Sequence, residues 1–264
     1  MQQFDQIISI MPLLISVVAI VMLLLRYLLL RKIHHLFLLL VFVLLAFSYL
    51  YIWLFCQAEY EIIAWLFPLR QPVKMLLIPA CYFFMISTFL GNKMQAGIAM
   101  LHILPAIFVF VGFIPFWFVP QEIQLGYLSQ DYTNTTNNFV ITNVQILRLV
   151  SVFIIFNAML LVYSLLAIRE FNHYKKTHAH SLFLIKGTST FTVTLVFLTL
   201  LLVLVDNAYF LGISQMQNSR IMFSLLSTVI LLLIFIYGYL RKECISFETI
   251  ETMLNAKTPT EKQR

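Results

Sequence analysis

Long apolar stretches, broken by short polar or basic punctuation, run along almost the whole chain. Several exceed the roughly 18 residues that a bilayer core of about 30 Å demands, so repeated membrane-spanning helices are expected. A buried helix of a water-soluble core would be shorter and striped. Seven spans can be drawn: Ile7–Leu30, Leu36–Phe55, Pro72–Leu90, Ile98–Phe118, Val144–Ile168, Leu182–Val205 and Ile221–Leu240. Pro68, Pro72 and Pro79 punctuate the third, where an irregular first turn or a kink is expected. The N-terminal "MQQFDQIISIMPLLISVVAIVMLLL" has no basic stretch and no small-residue cleavage site before its apolar run, so it reads as a retained first span. Between the fourth and fifth spans lies the longest loop, "VPQEIQLGYLSQDYTNTTNNFVITN", which is free of lysine and arginine and long enough for a small lid.

Composition agrees with this pattern. Hydrophobic residues make up 61% and charged residues 11%, and mean hydropathy is +0.93, against about 45–50% apolar and about 25% charged in soluble domains. The expected class is an all-α, polytopic integral membrane protein. Cys56, Cys81 and Cys244 are scattered without paired spacing and suggest neither a metal motif nor a disulfide framework.

The formal charge of +6 acquires meaning from its distribution. With the N-terminus outside, Arg26, Arg31, Lys32, Lys93, Arg169, Lys175, Lys176, Lys186, Arg241, Lys242 and the tail bases Lys257, Lys262 and Arg264 fall on the cytoplasmic side. Arg70, Lys74, Arg148 and Arg220 fall on the other, with Asp5, Glu59, Glu61, Glu122, Asp131 and Asp206. The positive-inside rule therefore expects an outside N-terminus and a cytoplasmic C-terminus, and anionic lipid headgroups account for the charge without nucleic acid. Tyr49, Tyr51, Trp53, Trp117, Tyr237 and Tyr239 stand near span ends, where interfacial anchoring is their expected role.

Chemistry is harder to find. His34, His35, His102, His173, His178 and His180 all map to the cytoplasmic half, five of them in connecting loops, with no carboxylate or cysteine at helical spacing beside them; no metal site is expected. The seventh span has no histidine or acid for an intramembrane zinc centre, no lysine for a retinal Schiff base and no asparagine–proline pair of a G-protein-coupled receptor. Nucleophile elbow, phosphate-binding glycine loop and paired redox cysteines are absent too, so no catalytic residue and no cofactor is expected.

Ionisable residues at the outer span ends remain. Lys74 and Arg148 lie about one turn inside the third and fifth spans, Arg70 just precedes the third, and Asp206 closes the sixth. Charges there are expensive unless paired or facing a wet cavity, which makes them a candidate ligand site. In one reading Arg70, Lys74 and Arg148 meet a small anionic ligand while Asp206 balances them. In the other, Asp206 pairs with one base and the rest snorkel to headgroups. No Asp or Glu occupies the middle of a span and no internal repeat is evident, which weighs against ion-coupled transport.

The stretch "FPLRQPVKMLLIPACYFFMISTFLG", followed by "LHILPAIFVFV", resembles the membrane domains that precede an AraC-type helix-turn-helix region in a group of bacterial one-component regulators. Pro79, Tyr82, His102 and Pro105 occupy the places of that group's proline-centred segment, aromatic-rich helix and histidine–proline helix start, while Ile78 stands where a glycine is frequent. The resemblance implies about seven spans, a long outer loop after the fourth, a sensing role and a bacterial inner-membrane location. Members of the group continue into a DNA-binding domain of about one hundred residues, whereas this chain ends at Arg264, 24 residues after Leu240. Direct nucleic-acid binding is therefore not expected.

The expected organisation is a bundle over residues 1–242 and a cytoplasmic tail over 243–264. In the tail Ser246 suits an N-cap, Glu248 the first turn, and Phe247, Ile250 and Leu254 one face of a short amphipathic helix. Such a helix needs the membrane surface, a cytoplasmic regulator or a second copy of the chain. The function expected is non-enzymatic sensing at the outer face, with a small transporter or lipid-handling protein as the alternative.

Overall fold

In the computed structural model, residues 2–90, 100–129, 138–177, 201 and 217–240 are described, and every element among them is helical. Helix α1 (Gln2–Leu30) turns directly into α2 (Ile33–Cys56), and a second tight turn leads into α3 (Tyr60–Leu90). Helix α4 (Leu104–Phe113) tightens into a 3-10 turn (Ile114–Phe118), after which the chain bends by 117° into the short α5 (Gln121–Ser129). Helix α6 (Phe139–Val150) passes through a π turn (Ser151–Ile155) into α7 (Phe156–Thr177), and α8 (Gln217–Leu240) is the last described helix.

Both hairpin turns are made without glycine. Arg31 and Ala58 take left-handed φ values of 54° and 58°, a conformation that an L-residue with a Cβ adopts at a cost. Arg31 N–H still closes onto the Tyr27 carbonyl at 2.7 Å, and Gln57 N–H onto Trp53 and Leu54 at 3.1 Å, so the helix ends are satisfied while the chain reverses. Reversals this short force neighbouring helices to pack side by side.

Four helical stretches, Ile7–Leu30, Ile33–Cys56, Tyr60–Ser87 and Phe139–Glu170, are long and apolar enough to cross a bilayer. The bent pair Leu104–Phe118 and Gln121–Ser129 makes a fifth if counted as one span, and Phe223–Ile236 within α8 is a shorter apolar stretch. The sixth expected span, Leu201 apart, and the tail lie outside the described residues.

Helix α3 is the hub, packed against α2, α4, α5 and α7, while α1 packs against α2 and α8. Of the apolar stretch in α3, 72% is buried, against 28% in α1. Ala19, Leu23, Val41, Phe42, Ile63, Phe84, Val109 and Leu231 lie in the core between helices, and Phe42 meets Phe235 of α8 edge-on at 6.3 Å. On the outside, Met11, Leu14, Val18, Val21, Leu25 and Leu28 recur at three- and four-residue spacing along α1 and are exposed, the pattern of a helix face turned to lipid.

The third helix departs from expectation. It begins at Tyr60, twelve residues before the expected start at Pro72, and encloses Pro68, Pro72 and Pro79. A proline inside a helix removes one hydrogen bond and costs about 3 kcal/mol in water. Here the helix is packed on most sides, and breaking it would expose more backbone to the membrane interior than three prolines already leave. The fifth expected span is longer at both ends, running from Phe139 through the π turn to Thr177.

Candidate functional site

Arg70 and Lys74 stand four residues apart, on one face of α3. Each is only 3% exposed. Between them in sequence, Gln71 is 5% exposed, and its Nε2 has no hydrogen-bond partner among the described residues. Three strongly polar side chains thus lie within five residues of a spanning helix whose other buried residues, Ile63, Phe67, Ile78 and Cys81 among them, are apolar except for Ser87.

Tyr51 of α2 receives this turn. The Arg70 guanidinium carbon lies 4.2 Å from the centroid of its ring, a stacking worth about 2 kcal/mol when desolvated. A stacked guanidinium presents its N–H donors in its own plane, where a planar or tetrahedral oxyanion can meet them. Arg148 of α6 and Tyr127 of α5 also lie close enough to act on the Tyr51 hydroxyl electrostatically. Arg148 Nη1 donates to the Tyr127 oxygen at 3.4 Å, a long contact. Just beyond, Ser151 Oγ donates to the Arg148 carbonyl at 2.8 Å as the π turn opens, and such turns shift the register of a helix below a functional residue.

Beside the cations sits an aromatic layer. Phe67, one turn before Arg70, contacts Phe116 at 4.5 Å, Phe113 at 5.7 Å and Tyr127 at 5.7 Å between ring centroids. Gln124 ties α5 down by donating from Nε2 to the carbonyls of Phe116 and Val119, both at 2.8 Å. Helix α5, formed within the long loop, is thus held by polar bonds to the backbone before it and by Tyr127 to the layer beneath. Outside it, an open groove of about 550 Å³ is lined by Glu59, Glu61 and Glu122 together with Tyr60, Leu125 and Ser129.

Of the expected site residues, Arg70, Lys74 and Arg148 are positioned on α3 and α6, and Asp206 lies outside the described residues. Arg70 and Lys74 are buried among helices, which departs from the second of the two readings, in which bases reach for headgroups. Tyr51 is not an interfacial anchor: it is 2% exposed, beneath Arg70. Its position continues the buried series Leu38, Val41, Leu44, Ser48 of α2, a spacing that would have placed it inward. Tyr127 and Gln124 carried no comparable signal, since Tyr127 acts through Phe67 and Arg148, distant in sequence, and Gln124 through a bend of the chain that the apolar pattern does not show.

At the opposite end, His34 and His35 lie in the first turn of α2, 6% and 5% exposed, rather than in a loop. His102, in the turn before α4, shares a hydrogen bond between Nδ1 and the Tyr163 hydroxyl and packs against Tyr82 and Phe83. No group of three or more metal-ligating side chains converges among the described residues.

Fold and site together define a membrane protein that is all-α among the described residues, with cationic side chains buried on one face of α3. Comparison with protein-family models, curated proteins and solved structures gave no match.

Proposed function

We propose that this chain is a non-enzymatic, sensor-like membrane domain that takes up a small anionic ligand on the cationic face of α3. The observation that carries the reading is the burial of Arg70 and Lys74, 3% exposed each, on one face of a spanning helix. Intramembrane cations are costly and mark ligand or ion sites when they gather, and here Arg148 approaches the same tyrosine as Arg70. Helix α5, held by Gln124 and Tyr127, would be the lid over such a site.

The fuller arrangement is part of the same proposal: seven spans, N-terminus outside, C-terminus cytoplasmic, in a bacterial inner membrane, related to the membrane portion of AraC-type regulators. Sorting of the basic residues by side supports it. Ligand binding would favour one packing of the lid and helices over another, and the difference would reach a cytoplasmic regulator or a second copy through the tail.

The test is thermal unfolding of the full chain in neutral detergent against a panel of small carboxylates and phosphates. Wild type should be stabilised by one class of anion, R70Q and K74Q should lose the response, and R169Q should keep it. A flat response of wild type to the whole panel refutes the reading. Uptake of the stabilising anion into proteoliposomes would replace sensing by transport.

A further inference from the structure

The turn between α1 and α2 carries a second set of anion-directed groups, remote from the first. Helix α2 opens at Ile33 directly after Arg31 and Lys32, and Lys32, at the N-cap, makes no side-chain capping bond. His35 N–H is taken by the Lys32 carbonyl at 3.1 Å, but the N–H groups of Ile33 and His34 open the helix and have no acceptor within it. A helix N-terminus of this kind attracts negative charge.

An independent observation points to the same place. His35 is 5% exposed, and its Nδ1 is buried with no hydrogen-bond partner among the described residues. Helical side chains lean toward the N-terminus, and His35 lies close enough to His34, Lys32 and Arg26 to feel their charge, with its ring 4.2 Å from that of His34. A buried imidazole nitrogen, two open backbone donors and the exposed cations Arg31 and Lys32 call for a group with several acceptor oxygens and a negative charge, which is the chemistry of a phosphate.

The surroundings indicate what carries the phosphate. Leu36, Leu40 and Val43, exposed at 39%, 41% and 43%, lead from the turn along one side of α2 at spacings of four and three. Leu29, 83% exposed, stands beside the turn on α1. A soluble phosphate has no use for such a wall; the acyl chains of a lipid follow it.

We propose that the α1–α2 turn is a binding site for the phosphate of an anionic phospholipid, with Arg31, Lys32, His35 and the first N–H groups of α2 on the headgroup and the Leu36–Leu40–Val43 side of α2 on the acyl chains. The delipidated full chain in neutral detergent is titrated with phosphatidylglycerol, phosphatidylcholine or inorganic phosphate, with bound lipid counted by native mass spectrometry and stability followed by thermal unfolding. Phosphatidylglycerol should be retained over phosphatidylcholine, and R31Q/K32Q should weaken it about 30-fold, as expected for two juxtamembrane cations. H35L should weaken it further, while R169Q, which removes an exposed arginine elsewhere, should leave it unchanged. Because Arg31 and Lys32 are exposed, the double variant tests the site even if H35L fails to fold. Equal retention of the two lipids overturns the proposal, as does an equal loss with R169Q. Stabilisation by inorganic phosphate that phosphatidylglycerol does not exceed overturns the lipid as its source.

Discussion

Replacing Phe67 by leucine tests whether the lid is held by the aromatic layer. Phe67 is 4% exposed and leucine keeps most of its apolar area, so the change removes mainly the ring pairings with Phe113, Phe116 and Tyr127. An aromatic pair is worth about 0.5–1.5 kcal/mol beyond the area it buries, so three pairs set the loss at about 1.5–4.5 kcal/mol. At about 2–4 °C per kcal/mol for a chain of this size, the midpoint of thermal unfolding in detergent should fall by roughly 3 °C at least, and by more than 10 °C if all three pairings are strong. F108L is the control, because Phe108 is 70% exposed on α4 and its loss should cost under about 0.5 kcal/mol. Hydrogen exchange over Gln121–Ser129 should quicken in F67L and not in F108L. Equal midpoints for the two variants, or unchanged exchange in the lid, would refute the claim that the layer under α5 holds it closed.

The remaining expectations probe other joints. Gln124→Ala removes both donors to the Phe116 and Val119 carbonyls and should cost about 1–3 kcal/mol, with hydrogen exchange quickened at the 3-10 turn and the lid. Asn138→Ala removes the side chain that accepts from the N–H groups of Val140 and Ile141 at 3.0 and 3.2 Å; thermal unfolding should register about 0.5–2 kcal/mol. Ala58→Gly should raise the unfolding midpoint by the equivalent of up to about 1 kcal/mol, because glycine takes the 58° φ without strain. At Gly112 an added Cβ would stand 2.5 Å from a terminal methyl of Leu147. Gly112→Ala should therefore cost only a rotamer change of about 0.5–1.5 kcal/mol, and a larger loss would mean that α4 and α6 cannot shift apart.

The apolar runs and their spacing determined that the chain is helical and built for a membrane, because about 18 or more apolar residues in succession leave the backbone no solution in lipid but to bond with itself. They also singled out Arg70, Lys74 and Arg148, since a charge near an apolar run stands out whatever surrounds it. The long loop between the fourth and fifth spans was read as a lid-sized segment, and α5 occupies it.

Only the tertiary structure decided which helix is central and what the charges touch. Three prolines in "FPLRQPVKMLLIPA" read locally as interruptions, yet α3 runs through them from Tyr60 to Leu90, because packing against α2, α4, α5 and α7 outweighs the lost backbone bonds. Tyr51 read as an interfacial anchor from its place near a span end, but the rotation of α2 turns it inward beneath Arg70. His34 and His35 read as loop residues beside a basic turn, but α2 begins three residues earlier than the apolar run suggested and draws both into its first, buried turn. A sequence fixes where charge and apolar surface lie along the chain; the angle at which one helix faces another is set by side chains far apart in that chain, and it is that angle which brings Arg70 and Arg148 to the same tyrosine.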